Sequence, residues 1–267
     1  MLMITIPHSG EQIPENANWL KKLPEEILMC DVDRFVDRLY EPTIQKLNIP
    51  YIKTQWHRYA GDLNRLAEDV DCDSVIGNPN PSGQFSRGFI WVKTTLNYKL
   101  LPQPISATDH QQLKALIFDP FHAQIKTVSE TLSKSHKNIY HLDLHSMPSV
   151  GTSEHRDPGE KRADIVVSDS KGKSSSKAFV DLVISSYKNQ GFNVAYNWPY
   201  FGGRLTEAYG KPTQGHHTVQ VELNRGLYMD ETSKKWLDGK ALDTQSRLSK
   251  ALSSVYDGLR IADKAII

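Results

Sequence analysis

Six short apolar runs, separated by stretches with helical spacing, constrain this chain more than any other feature. Leu2–Ile6 (LMITI), Pro50–Thr54 (PYIKT), Ile139–Leu144 (IYHLDL), Asp164–Val167 (DIVV), Phe192–Tyr196 (FNVAY) and Thr218–Leu223 (TVQVEL) have strand length and composition. Between them Val32, Phe35, Val36 and Leu39 recur at helical spacing, as do Phe179, Leu182, Val183 and Tyr187, and Leu248, Leu252, Val255 and Leu259. The last group predicts a packing helix within Ser233–Ile267. Alternation of this kind predicts an α/β fold with helices on both faces of a sheet. Sites in such sheets gather at the carboxyl ends of strands.

Composition removes several function classes. The 267 residues carry 32 Lys+Arg against 31 Asp+Glu, a net charge of +1, which argues against a nucleic-acid binder. A hydrophobic content of 39% with 24% charged residues is that of a globular protein rather than a disordered one. Cys30 and Cys72 belong to no CxxC or zinc-ribbon spacing, so a reducing cytoplasm is expected and a disulfide framework is not. The opening MLMITIPHSG has no basic segment or cleavage site, and no run reaches the ~18 apolar residues of a membrane span. Asp69–Arg87 and Ser146–Arg162 have loop composition, with Phe85, Phe89 and Trp91 expected to tie the first back to the core.

Several motifs fall where strands end. His8 follows the first strand on a turn tightened by Gly10, and Glu11 lies three residues on, within reach of a shared metal if a helical turn begins there. In HLDLHS, alternation puts His141, Asp143 and His145 on one face, with Asp143 placed to orient a liganding histidine. Glu222 sits late in an apolar strand, where it is expected either to pair with a buried arginine or, its pKa raised by burial, to serve as a general base. In RYAGDLNR, Arg58 and Arg65 flank a polar turn and suit capture of a carboxylate or an oxyanion. The glycine-rich turn in YFGGRLTEAYG lacks the context of a phosphate loop but would let backbone approach a ligand. Neither G-x-S-x-G nor H-E-x-x-H occurs.

The ordered set PHSG, DVDRFVDRLY, RYAGDLNR, DLHS, PYFGGRLTEAYG and QVELNRGLYMDE, spanning Ile6 to Glu231, resembles the N-formylglutamate amidohydrolase family. That family is similar in turn to the zinc carboxypeptidase-like enzymes that include aspartoacylase and succinylglutamate desuccinylase. The resemblance implies a single catalytic domain over residues 1–267, with a mostly parallel or mixed central sheet. It implies one Zn2+ held by His8, His145 and a carboxylate, with Glu222 as catalytic base and Arg58 stabilising an oxyanion. Asn64, Arg65, Arg204 and Tyr209 would contact a small acidic N-acyl amino acid. Family resemblance favours Asp33 as the carboxylate ligand, whereas analogy with the wider group favours Glu11; Asp31 and Asp37 are expected as a helix cap and a solvated-face residue. Alternatives are hydrolysis of another N-acyl amino acid or short peptide, or a non-catalytic metal- or ligand-binding protein.

Overall fold

The computed structural model describes residues 1–70, 73–77 and 87–264, so Cys72 and Phe85 lie outside the described residues. Each of the six apolar runs forms a strand: β1 (Leu2–Ile6), β2 (Tyr51–Lys53), β3 (Ile139–Met147), β4 (Ile165–Ser168), β5 (Val194–Tyr196) and β6 (His216–Asn224). They pair in the order β2-β1-β3-β6-β4-β5. The first four are parallel, β4 runs antiparallel to β6, and β5 runs parallel to β4. The sheet is therefore mostly parallel and mixed at one edge.

Strand alternation divides the sheet chemically. Leu2, Ile4, Ile6, Leu142, Leu144, Val219, Val221 and Leu223 join one buried apolar cluster. It also takes in Phe179 and Val183 from the helix Lys177–Lys188, and Leu248, Leu252 and Val255 from the helix Asp238–Lys264. Each large side chain buried this way contributes roughly 1.5–3 kcal/mol. On the opposite face, Met3 and Ile139 pack with Phe121 and Ile125 of the helix Asp119–Ser133. Further along that face the residues become Thr5, Asp143, His145, Gln220 and Glu222, all buried. The sheet is dry on one face and gathers its buried polar groups at the far end of the other.

Two connections bring other residues there. The helix expected from Val32 onward begins only at Val36, because Phe35 adopts the left-handed backbone region at φ 70°. The turn before it docks on the end of β1, where the Asp33 N–H donates to the His8 carbonyl at 2.9 Å. The chain from β3 to β4 starts and finishes at the same edge, since β4 runs antiparallel to β6. It consequently stays beside the carboxyl ends of β3 and β6. Among the described residues, no helix is long and apolar enough to cross a membrane.

Candidate active site

His8, Asp33 and His145 each offer a ligand atom within 4.8 Å of the other two, and all three are buried. His8 reaches this point on the turn after β1, where a Cβ on Gly10 would lie 2.4 Å from the Gln55 carbonyl carbon, so only glycine lets the turn seat. His145 comes from β3, directly beside Glu222 in the β3–β6 register. His145 Nδ1 is 3.0 Å and His8 Nδ1 3.5 Å from the same Asp33 oxygen, Oδ2.

The other ring nitrogens point away, each to a carboxylate. His8 Nε2 donates to Asp62 Oδ1 at 2.8 Å, and His145 Nε2 donates to Asp143 Oδ2 at 2.8 Å. These partners fix the ring orientations and leave Nδ1 of both rings aimed at the shared point. Behind Asp143, the Thr5 hydroxyl donates to Oδ1 at 2.7 Å and so accepts from His141 Nε2 at 2.8 Å. Asp62 is held by Arg58 Nη2 at 2.8 Å, Trp91 Nε1 at 3.0 Å and the Asn64 N–H at 2.9 Å. The remaining oxygen of Asp33 accepts from Ser146 Oγ and from Arg225 Nη2, both at 3.1 Å.

Electrostatics separate the carboxyls. Burial alone would raise Asp33, Asp62 and Asp143, yet their histidine neighbours hold all three below the usual carboxylate range, with Arg58 assisting at Asp62. Burial opposes charge on His145 too, but Asp143 and Asp33 outweigh it and raise that pKa. Glu222 behaves differently: burial pushes its carboxyl up to about 7 against the pull of His145, and its Oε1 accepts from Gln220 Nε2 at 2.7 Å. A carboxyl poised near neutrality beside anions fixed in charge is a division of acid-base roles.

His8, Asp33, His145, Glu222 and Arg225 line a cavity of about 390 Å³ that also takes in Arg58, Asn64 and Arg65. The Asn64 amide oxygen accepts the Leu205 N–H at 2.8 Å. A Cβ on Gly203 would fall 2.2 Å from Asn64 Nδ2, so the glycine turn does approach that side chain closely. Glu11 stands outside the cluster, 37% exposed, with its carboxylate paired to Arg34 at 2.8 Å. Arg204 and Tyr209 do not line the cavity: Arg204 lies 3.9 Å from Glu207, and the Tyr209 hydroxyl meets His122 Nδ1 at 2.6 Å. Asp31 caps no helix but is buried, accepting from the Tyr59 hydroxyl at 2.6 Å and the Thr95 N–H at 3.1 Å; Asp37 meets Lys53 at 3.1 Å. Except for the position of Arg225 three residues beyond Glu222, nothing in the sequence sets Arg225, Ser146 or Asp62 apart within the motifs in which they stand.

Converging imidazoles and a carboxylate, set beside a near-neutral carboxyl at the strand ends of an α/β sheet, form the site of a hydrolytic enzyme. A sequence model of N-formylglutamate amidohydrolase matches residues 1–229, and the chain belongs to that family. N-formylglutamate deformylase of Pseudomonas aeruginosa PAO1 is 24% identical over 231 residues, covering 86% of this chain and 82% of the relative. The Pseudomonas putida N-formylglutamate deformylase is 23% identical, covering 95% and 91%. The crystal structure of N-formylglutamate amidohydrolase from Ralstonia eutropha JMP134 superposes with a TM-score of 0.85 at 25% identity, covering 96% of this chain and 93% of that one.

Proposed function

We propose that the protein is a zinc-dependent amidohydrolase that cleaves the formyl amide of N-formylglutamate to give glutamate and formate. The observation that carries this reading is the buried Nδ1 of His8, which has no hydrogen-bond partner among the described residues, the nearest carboxylate oxygen being that of Asp33 at 3.5 Å, although its ring is fixed by Asp62. His8, His145 and Asp33 would hold a cation there, and two imidazoles with one carboxylate are a donor set that suits zinc. Bound there, the ion supplies a Lewis acid and acidifies water.

The chain's own residues do the rest. Glu222 accepts the proton of the attacking water and returns it to the leaving amine, a task suited to a carboxyl near pH 7. Arg58, whose Nε is buried without a hydrogen-bond partner among the described residues, stabilises the developing oxyanion. Asn64 and Arg65 hold the substrate α-carboxylate. Burial works against the charge on Arg65, and a carboxylate ligand offsets that cost. The free, buried thiol of Cys30 is in keeping with a cytoplasmic setting.

The test is metal analysis of the purified protein joined to a hydrolysis assay on N-formyl-, N-acetyl- and N-succinylglutamate. Formylglutamate should be preferred, and chelation should abolish turnover. Glu222→Gln should keep the metal and lose roughly 10²–10⁴-fold in kcat. A metal-loaded wild-type protein that hydrolyses none of the three amides would overturn the reading.

A further inference from the structure

Five arginines line the cavity: Arg58, Arg65, Arg87, Arg156 and Arg225. Three of them already face acids. Arg58 pairs with Asp62 at 2.8 Å, Arg225 with Asp33 at 3.1 Å, and Arg87 with Glu154 at 3.3 Å. Arg65 donates to the carbonyls of Arg87 at 2.6 Å and Asn64 at 2.9 Å. Arg156 is different. Its guanidinium lies 4.6 Å from the centre of the Phe201 ring, another cavity residue, and among the described residues it has no hydrogen bond or ion pair.

Its placement is nevertheless held. The next residue, Asp157, is 1% exposed and takes a two-pronged bond from Arg162, Nε to Oδ2 at 2.7 Å and Nη2 to Oδ1 at 2.8 Å. Arg162 Nη1 also donates to the Tyr200 hydroxyl at 2.9 Å, joining this loop to the segment that carries Phe201. A guanidinium over an aromatic face, here one that Lys171 Nζ also approaches at 4.0 Å, leaves its N–H edge available. A cation at the wall of the site with no acidic partner among the described residues is complementary to an anionic ligand group.

We infer that Arg156 is a specificity residue that grips the second, side-chain carboxylate of the substrate. The inference rests on the proposed function, in which Arg65 holds the α-carboxylate. A dicarboxylate then meets one arginine at each end, whereas a substrate with a neutral side chain leaves Arg156 unused.

The experiment compares N-formyl-L-glutamate with N-formyl-L-glutamine, whose side-chain amide carries no charge, in wild-type, Arg156→Gln and Arg156→Lys proteins. Arg156→Gln should lower kcat/KM for the glutamate substrate about 10- to 100-fold, as for loss of a charge-assisted bond. The glutamine substrate should change by less than about threefold, and lysine should fall between because it keeps charge but not the fork. Equal losses on both substrates, or no loss on either, would overturn the inference. Calorimetric titration of the metal-loaded proteins with L-glutamate and L-glutamine separates it from the hydrolase reading. If wild type turns over neither amide yet prefers glutamate in a manner abolished by Arg156→Gln, the hydrolase reading falls and Arg156 keeps its role. If that preference is missing, or survives the substitution, the role is lost.

Discussion

Two pairs of histidines lie in different regions of this molecule and have opposite chemistry. At the strand ends, His8 and His145 each place one nitrogen against a carboxylate and turn the other to a common point. Beside the second apolar cluster, His57 and His122 use both nitrogens locally. His57 Nε2 donates to the Leu28 carbonyl at 3.0 Å while its Nδ1 accepts the Tyr59 N–H at 3.2 Å. His122 Nε2 donates to the Leu63 carbonyl at 3.2 Å while its Nδ1 accepts the Tyr209 hydroxyl at 2.6 Å. Burial lowers His57 and His122 to about 4, so both are neutral pieces of packing. The group behind the ring separates the two kinds: a carboxylate strengthens the far nitrogen as a ligand, whereas a carbonyl and a donor use the ring up.

The largest effect that would break this contrast is loss of metal. His8→Ala or His145→Ala should reduce content from about one ion per chain to less than about a tenth of that, and turnover to background. His57→Gln should leave the content intact. Elemental analysis after dialysis against a weak chelator decides it. If the His57 variant loses the ion as readily as the His145 variant, carboxylate backing does not mark the binding ring.

Sequence alone distinguished these histidines only in part. The six strands were legible because each is a short apolar run, and alternation placed His141, Asp143 and His145 on one face. The helix start was not legible: Val32 and Phe35 keep helical spacing, but a left-handed Phe35 turns the chain and delivers Asp33 to the site. The choice between Glu11 and Asp33 depended on that turn, which local spacing does not encode. The support from Asp62 and Arg225 was hidden for a related reason. It is made across the fold, from a turn after β2 and from the end of β6, and contacts between distant segments leave no periodic trace.

A smaller effect sharpens the contrast within the site. Asp143→Asn preserves shape but removes the charge behind His145 Nε2, so metal affinity should fall about 10- to 100-fold with the fold intact. Competition with a chromophoric chelator measures it. An affinity within about twofold of wild type would mean that the carboxylate orients nothing, since supporting partners of liganding histidines matter at the scale just given.

The smallest effect belongs to the other region and appears in stability rather than binding. His57 has a folded pKa of about 4, while its unfolded value is near 6.5. Between those values the unfolded chain binds more protons than the folded one, so stability rises with pH across this window. The contribution is complete above about pH 6.5 and is lost as the pH falls towards 4, amounting to about 2 kcal/mol at pH 5. Urea unfolding at pH 8 and pH 5, at matched metal occupancy, gives the loss for wild type and for His57→Gln. Glutamine does not titrate, so the variant should be weaker at pH 8 yet show a pH-dependent loss smaller by about 2 kcal/mol. The difference between the two proteins cancels every other titrating group that the substitution leaves unchanged. An identical loss in both would mean that His57 takes up a proton while folded at little cost, and the two kinds of buried histidine would then differ in position alone.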